Sequence, residues 1–109
     1  MEMVCSNAVL DIEFDEELRL LYSKWKDCTS PLSYISGIKS FREIFDKVHP
    51  KNTLWDIRKL DYAISDDLQK WTDDFLNVPA VQAGFAGKVS LITGKNMARI
   101  KRKAVFMEV

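Results

Sequence analysis

The chain has 109 residues with 16 Lys or Arg and 16 Asp or Glu, so its formal net charge is zero. This length fits one domain, because domains usually hold about 100–150 residues. Hydrophobic residues make up 47% of the chain and aromatic residues 11%, which excludes the disordered and low-complexity classes. No run approaches the roughly 18 apolar residues of a membrane span, and the acidic N-terminus lacks the pattern of a secretory signal, so we expect a soluble protein.

Charge is distributed unevenly along the chain. Residues 1–87 hold 10 basic and 15 acidic side chains, whereas residues 88–109 hold 6 and 1. The basic cluster at Arg99–Lys103 fits either a solvated helix face that complements the acidic body or a surface that binds anions. The acidic body argues against a nucleic-acid partner.

The residue types used in catalysis and metal binding form no recognisable motif. Cys5 and Cys28 lie 23 residues apart without a neighbouring His or Cys, which excludes a C-x-x-C motif and a zinc cluster and favours a reducing cytoplasm. His49, the single histidine, has no nucleophile in a known motif and fits the end of a helix. We therefore expect no catalytic residue, no metal, no cofactor and no enzymatic activity.

The first half of the chain predicts a hairpin followed by a helix. Leu10, Ile12 and Phe14 alternate with acidic residues, so residues 8–26 are interpreted as two antiparallel strands. A hydroxyl residue before Pro31 predicts a helix start, and apolar residues then recur every three or four positions. The sequence His49-Pro50 ends this helix, because proline disfavours helical geometry in the preceding residue.

The second half predicts two further strands, each followed by a helix. A short strand over Thr53–Ile57 precedes a helix that begins at Ser65 and ends at Asn77-Val-Pro79. A buried strand follows at Lys88–Thr93. For residues 97–109 we favour a helix, although Ala104–Val109 also suits a strand. The predicted class is α/β, with the order β-β-α-β-α-β-α and a mixed sheet covered by helices.

The junction between the third predicted strand and the second predicted helix is the candidate site. Asp56 lies at the end of a strand expected to be central, where open α/β sheets bind ligands, and Arg58 and Tyr62 follow in the same loop. Ser65, Asp66 and Asp67 then form a capped, acidic helix start. A local Asp–Arg pair and an ordinary helix cap explain the same residues without function, and both alternatives stay open.

A second candidate is an apolar pocket between the sheet and the helices. Trp25, Trp71 and Phe75 belong to an aromatic set of the kind that often lines small-molecule sites. Ordinary core packing explains the same side chains, so the sequence leaves this choice open.

The element order and the junction resemble the STAS-type, SpoIIAA-like family, which is related to bacterial anti-sigma factor antagonists. Leu54-Trp55-Asp56-Ile57 is similar to the hydrophobic-Asp-hydrophobic strand end of that family. Residues 60–68, with the sequence LDYAISDDL, occupy the positions of its loop and of its Ile-Asp-Ser-Ser-Gly-Leu helix start. In an alignment without gaps, Asp66 falls on the serine that family members phosphorylate, and Asp67 falls on the glycine.

The resemblance implies a cytoplasmic, non-enzymatic bacterial regulatory domain that binds a protein partner through residues 56–67. An aspartate at position 66 resembles a permanent negative charge, with less charge than phosphate; alternatively, this branch kept the fold and lost the switch. The SpoIIAA-like fold of that family also resembles lipid-transfer domains, so the alternative function that the resemblance implies is a carrier of a small apolar or lipid-like ligand. The identity of the partner and the oligomeric state, including a homodimer, stay open.

Overall fold

A computed structural model describes residues 1–60 and 63–92, and it shows a mixed α/β domain built on a five-stranded sheet. The strands lie side by side in their order along the chain. The first three are antiparallel, and the third, fourth and fifth run parallel to one another. The strands are β1 (Glu2–Ser6), β2 (Leu10–Asp15), β3 (Leu20–Trp25), β4 (Asn52–Asp56) and β5 (Val89–Ile92).

The helices fill the two connections between the parallel strands. α1 (Pro31–Val48) joins β3 to β4, and a continuous helical segment joins β4 to β5. That segment comprises α2 (Asp66–Thr72), a π-helical turn (Asp73–Asn77) and α3 (Val78–Gln82). The predicted α/β class and mixed sheet are therefore confirmed. No helix in residues 1–60 and 63–92 is both long and apolar enough to cross a bilayer.

The sequence prediction omitted β1 and was wrong in that respect. The strand pairs with β2, and its register is interrupted between Met3 and Cys5. It lies at the edge of the sheet, and Met3 is half exposed. An interrupted, partly exposed edge strand does not show the regular alternation that identifies β2, so the period-2 pattern did not reveal it.

α1 begins and ends as its sequence predicts. The Ser30 hydroxyl accepts a hydrogen bond from the Ser33 backbone N–H at 3.2 Å, and Pro31 occupies the first turn. His49 ends the helix in the left-handed conformation, with φ of 47°. The Arg19 guanidinium donates to the carbonyl oxygens of Val48 and His49, which are the kind of acceptors that a helix leaves unpaired at its C-terminus.

The core lies between α1, the second helical segment and one face of the sheet. Trp25 on β3 is its centre: the indole stacks on Tyr34 at 5.5 Å and on Trp55 at 6.1 Å between ring centroids. Gly37 of α1 lies directly over this indole, since a Cβ at Gly37 would be 2.5 Å from its ring. The glycine that weakens α1 as an isolated helix therefore allows α1 to approach the sheet closely.

The predicted helix end at Asn77-Val-Pro79 was wrong, because the helix continues through the π-helical turn to Gln82. Pro79 has no N–H to offer the carbonyl of Phe75 four residues earlier. Arg42 of α1 supplies the missing donor, with its Nη1 at 2.8 Å from the Phe75 carbonyl oxygen, and its guanidinium also lies over the Phe75 ring. The π-helical turn places Pro79 in the first turn of α3, where a missing N–H is tolerated, and the Arg42 contact satisfies the Phe75 carbonyl.

The last predicted elements are described only in part. β5 (Val89–Ile92) confirms the strand predicted over Lys88–Thr93; Lys88 precedes the strand, and Thr93 lies outside the described residues. The helix or strand predicted within residues 97–109, with the basic cluster Arg99–Lys103, lies outside the described residues.

Candidate functional site

The candidate site lies at one edge of the sheet, where the parallel strands β3 and β4 end. Each strand leads through a loop to a helix that returns across the sheet, so the N-termini of α1 and α2 also lie at this edge. An isolated parallel bridge between Cys28 and Leu60 ties the two loops together. We call two segments at this edge, the loop residues 57–60 around Arg58 and the helix start Ser65–Asp67, the carboxyl-edge surface.

Asp56, the last residue of β4, is the buried part of this site. Successive residues of a strand face opposite sides of the sheet, and Thr53 and Trp55 of β4 face the helices. Asp56 therefore faces the other side, together with Lys24, its register neighbour on β3. The Asp56 side chain is only 2% exposed. Burial of a carboxylate is costly unless hydrogen bonds and a counter-charge compensate.

Arg58 supplies most of that compensation. Its Nε lies 3.0 Å from Oδ1 of Asp56 and its Nη2 lies 2.7 Å from Oδ2, which makes a bidentate pair. The Arg58 backbone N–H adds a third bond at 3.2 Å, and the Tyr22 hydroxyl donates a longer one at 3.4 Å. These bonds from Arg58 lower the pKa of Asp56 to about 2 against the opposing effect of burial.

The pair has one buried and one accessible side. The Arg58 side chain is 56% exposed, whereas Asp56 is enclosed. Burial raises the pKa of the Tyr22 phenol, with a further contribution from the Asp56 charge, so this hydroxyl stays protonated and can donate at neutral pH. Asp56 therefore orients Arg58, and Arg58 is the group of this pair that a partner can reach.

The helix start adds exposed acidic groups. The Ser65 hydroxyl accepts a hydrogen bond from the Leu68 backbone N–H at 3.1 Å and caps α2, as its sequence predicts. Ser65, Asp66 and Asp67 are all exposed. The two carboxylates lie in the first turn, where the helix dipole favours negative charge. Tyr62, the remaining predicted contact, lies outside the described residues.

The aromatic residues of the alternative pocket lie in two separate environments. Trp25 is 2% exposed and belongs to the core stack described above. Trp71 and Phe75 stack on each other along the second helical segment, with ring centroids 5.0 Å apart and both side chains partly buried. Arg42 covers the Phe75 ring at 4.8 Å.

A small cavity does lie between the sheet and the helices, but none of these three aromatic residues lines it. Its volume is about 30 Å³, roughly that of one water molecule, and far below the few hundred Å³ of usual ligand sites. The lining is mostly apolar and consists of Phe41, Phe45, Thr53, Trp55, Leu76, Asn77, Ala80, Val81, Phe85 and Val89. Four of these residues lie beyond the predicted helix end at Pro79, which is why the sequence did not suggest this location.

The sequence also missed two neighbours of Asp56, namely Tyr22 and Lys24. Both occupy alternate positions of β3, and the register puts them on the same sheet face as Asp56. The hairpin periodicity could have placed Tyr22 and Lys24 on one face, but only the pairing of β3 with β4 brings them beside Asp56.

Neither a metal site nor a similar known protein identifies the function of this surface. Within residues 1–60 and 63–92, no three His, Cys, Asp or Glu side chains come together in a way that could hold a metal ion. Comparisons with protein-family models, curated proteins and solved structures gave no match.

Proposed function

We propose that this chain is a cytoplasmic, non-enzymatic, STAS-like binding module that recognises a protein partner through its carboxyl-edge surface. The observation that carries the proposal is the buried Asp56, which fixes an exposed arginine at the edge where α/β sheets bind ligands. The sequence resemblance to SpoIIAA-like proteins adds the expectation of a protein as the partner.

The charge pattern of the surface supports recognition of a polar protein surface. Arg58 presents a positive group, and Asp66 and Asp67 present negative groups at the capped start of α2. Complementary charges across an interface mainly give specificity and faster association. A surface that carries both signs on ordered backbone selects a partner with the opposite arrangement.

The experiment compares partner recovery by three forms of the tagged full-length chain, each expressed in its own host and enriched gently. The forms are the wild type, Asp66→Asn/Asp67→Asn and the control Glu43→Gln/Asp46→Asn. The control removes two exposed acidic charges from α1, away from the carboxyl-edge surface.

We expect native mass spectrometry to show a stoichiometric complex with the wild type and the control. The Asp66→Asn/Asp67→Asn variant should lose most of that complex while keeping its thermal stability within a few degrees. Equal recovery with all three forms, or no complex with the wild type, would contradict the proposal.

The carrier alternative stays a prediction. It requires a cavity of a few hundred Å³, and an added mass of a few hundred daltons in the same native spectrum would support it.

A further inference from the structure

We infer that Arg58 is the anchor residue of this surface, because its guanidinium binds a carboxylate group of the protein partner. This inference rests on the proposed function and specifies the chemistry of the same surface. The argument starts from the donors of the guanidinium, which has five N–H groups in a planar fork.

Asp56 occupies the inner edge of that fork. The Nε and one N–H of Nη2 point at its two oxygens, at 3.0 and 2.7 Å. The three other N–H groups lie on the outer side of a side chain that is 56% exposed. Nη1 and Nη2 together offer two parallel donors there, which is the geometry that binds a second carboxylate end-on.

The buried aspartate also prepares the arginine for binding. A free arginine side chain loses rotamer freedom when it binds, whereas Arg58 is already held at its backbone N–H and at two side-chain nitrogens. The Tyr22 hydroxyl, a longer contact at 3.4 Å, supports Asp56 from the neighbouring strand. Asp56 and Tyr22 are therefore positioning residues for Arg58.

The surrounding charges favour a carboxylate over a phosphate. Lys24, the register partner of Asp56, adds one positive charge on the same sheet face. Asp56 is neutralised by Arg58 itself, whereas Asp66 and Asp67 add exposed negative charge at the start of α2, and like charges repel a dianion more strongly than a monoanion. A glutamate or aspartate side chain of the partner therefore fits better than a phosphorylated residue.

The test uses the full-length ¹⁵N-labelled chain and a defined probe, the dipeptide acetyl-Ala-Glu-amide, which carries a single carboxylate. Its binding is followed at the Arg58 guanidinium signals by NMR, at low salt and neutral pH, with inorganic phosphate as the comparison anion. The variants are Arg58→Lys, Arg58→Gln and Asp56→Asn. The control is Lys47→Gln, which removes an exposed positive charge from α1. The amide spectrum of each variant establishes that it is folded.

We expect saturable shifts at Arg58, with the dipeptide binding more tightly than phosphate. Arg58→Lys should raise the dissociation constant at least fivefold, because an ammonium group lacks the two parallel N–H donors of a guanidinium. Arg58→Gln should abolish binding. Asp56→Asn should raise it about threefold, and Lys47→Gln should leave it unchanged. Absence of saturable shifts at Arg58, unchanged affinity in Arg58→Lys, or tighter binding of phosphate would each overturn the inference.

The outcome is separable from that of the proposed function. If Arg58 binds no carboxylate while the Asp66→Asn/Asp67→Asn variant still loses its partner, the binding module stands and the carboxylate anchor is wrong. If Arg58 binds the dipeptide while no protein partner exists, the anchor stands and the proposed function is wrong.

Discussion

Replacement of Asp56 by asparagine tests whether the buried carboxylate holds the site together. Among residues 1–60 and 63–92, Asp56 is the one buried side chain that carries a charge. The variant keeps the size of the side chain but removes the charge that faces Arg58. It also brings an amide N–H₂ towards guanidinium donors, so one hydrogen bond is replaced by a repulsive contact.

The size of the effect follows from the pKa of Asp56. The folded value is about 2, against an ordinary value of 3.8. Because one pKa unit corresponds to about 1.4 kcal/mol, the charged form contributes about 2 kcal/mol to the free energy of unfolding at pH 7. A depressed carboxyl pKa stabilises the fold above the unfolded-state value, so this contribution falls to about half at pH 3 and is nearly lost at pH 2.

The assay is urea denaturation of the wild type and Asp56→Asn at several pH values between 2 and 7. We expect the variant to be less stable by about 2–3 kcal/mol at pH 7, with a difference that shrinks below pH 4. Asp46→Asn is the control, because its pair with Arg42 is exposed and such pairs contribute about 0.5 kcal/mol or less. A difference independent of pH, or one no larger than that of the control, would refute the assignment of a buried, charge-paired Asp56.

Three further predictions concern the core and the thiols. Gly37→Ala should lower the free energy of unfolding by about 1–2 kcal/mol in urea denaturation. The new Cβ would lie 2.5 Å from the stacked Trp25 ring, and this clash outweighs the gain in helix propensity. A more stable variant would contradict that packing. Tyr34→Phe should cost about 1 kcal/mol in the same assay, since it removes a buried hydrogen bond of 2.9 Å to α2, and a neutral effect would argue against that bond. At pH 8, Cys5 should react with a thiol reagent at least tenfold faster than Cys28. Burial encloses the Cys28 thiol and raises its pKa to about 11. Equal rates in the folded protein would contradict the buried position of Cys28.

The elements that the sequence predicts correctly are those whose signals are local. The Ser30-Pro31 and Ser65 helix starts follow from capping chemistry, and both hydroxyls accept the expected backbone bond. The alternation at Leu10, Ile12 and Phe14 places β2 and its turn. Each of these features depends on neighbours within a few residues, so one sequence is enough to identify it.

The features that the sequence did not predict depend on contacts between distant residues. Pro79 is tolerated because the π-helical turn places it in the first turn of α3, and because Arg42, 37 positions earlier, bonds to the Phe75 carbonyl. The candidate site shows the same limit. The sequence suggested Asp56 and Arg58 as a local pair, whereas the burial of Asp56 and its contact with Tyr22 depend on the pairing of β3 with β4.

The most direct measurement of the central claim is hydrogen exchange of the full-length chain, free and saturated with the partner recovered from its host. The account predicts slower exchange in the bound state at the backbone amides of residues 57–60 and 65–68, with little change on the exposed face of α1. Protection confined to α1 or to the β1 edge, with unchanged exchange at both segments of the carboxyl-edge surface, would contradict it.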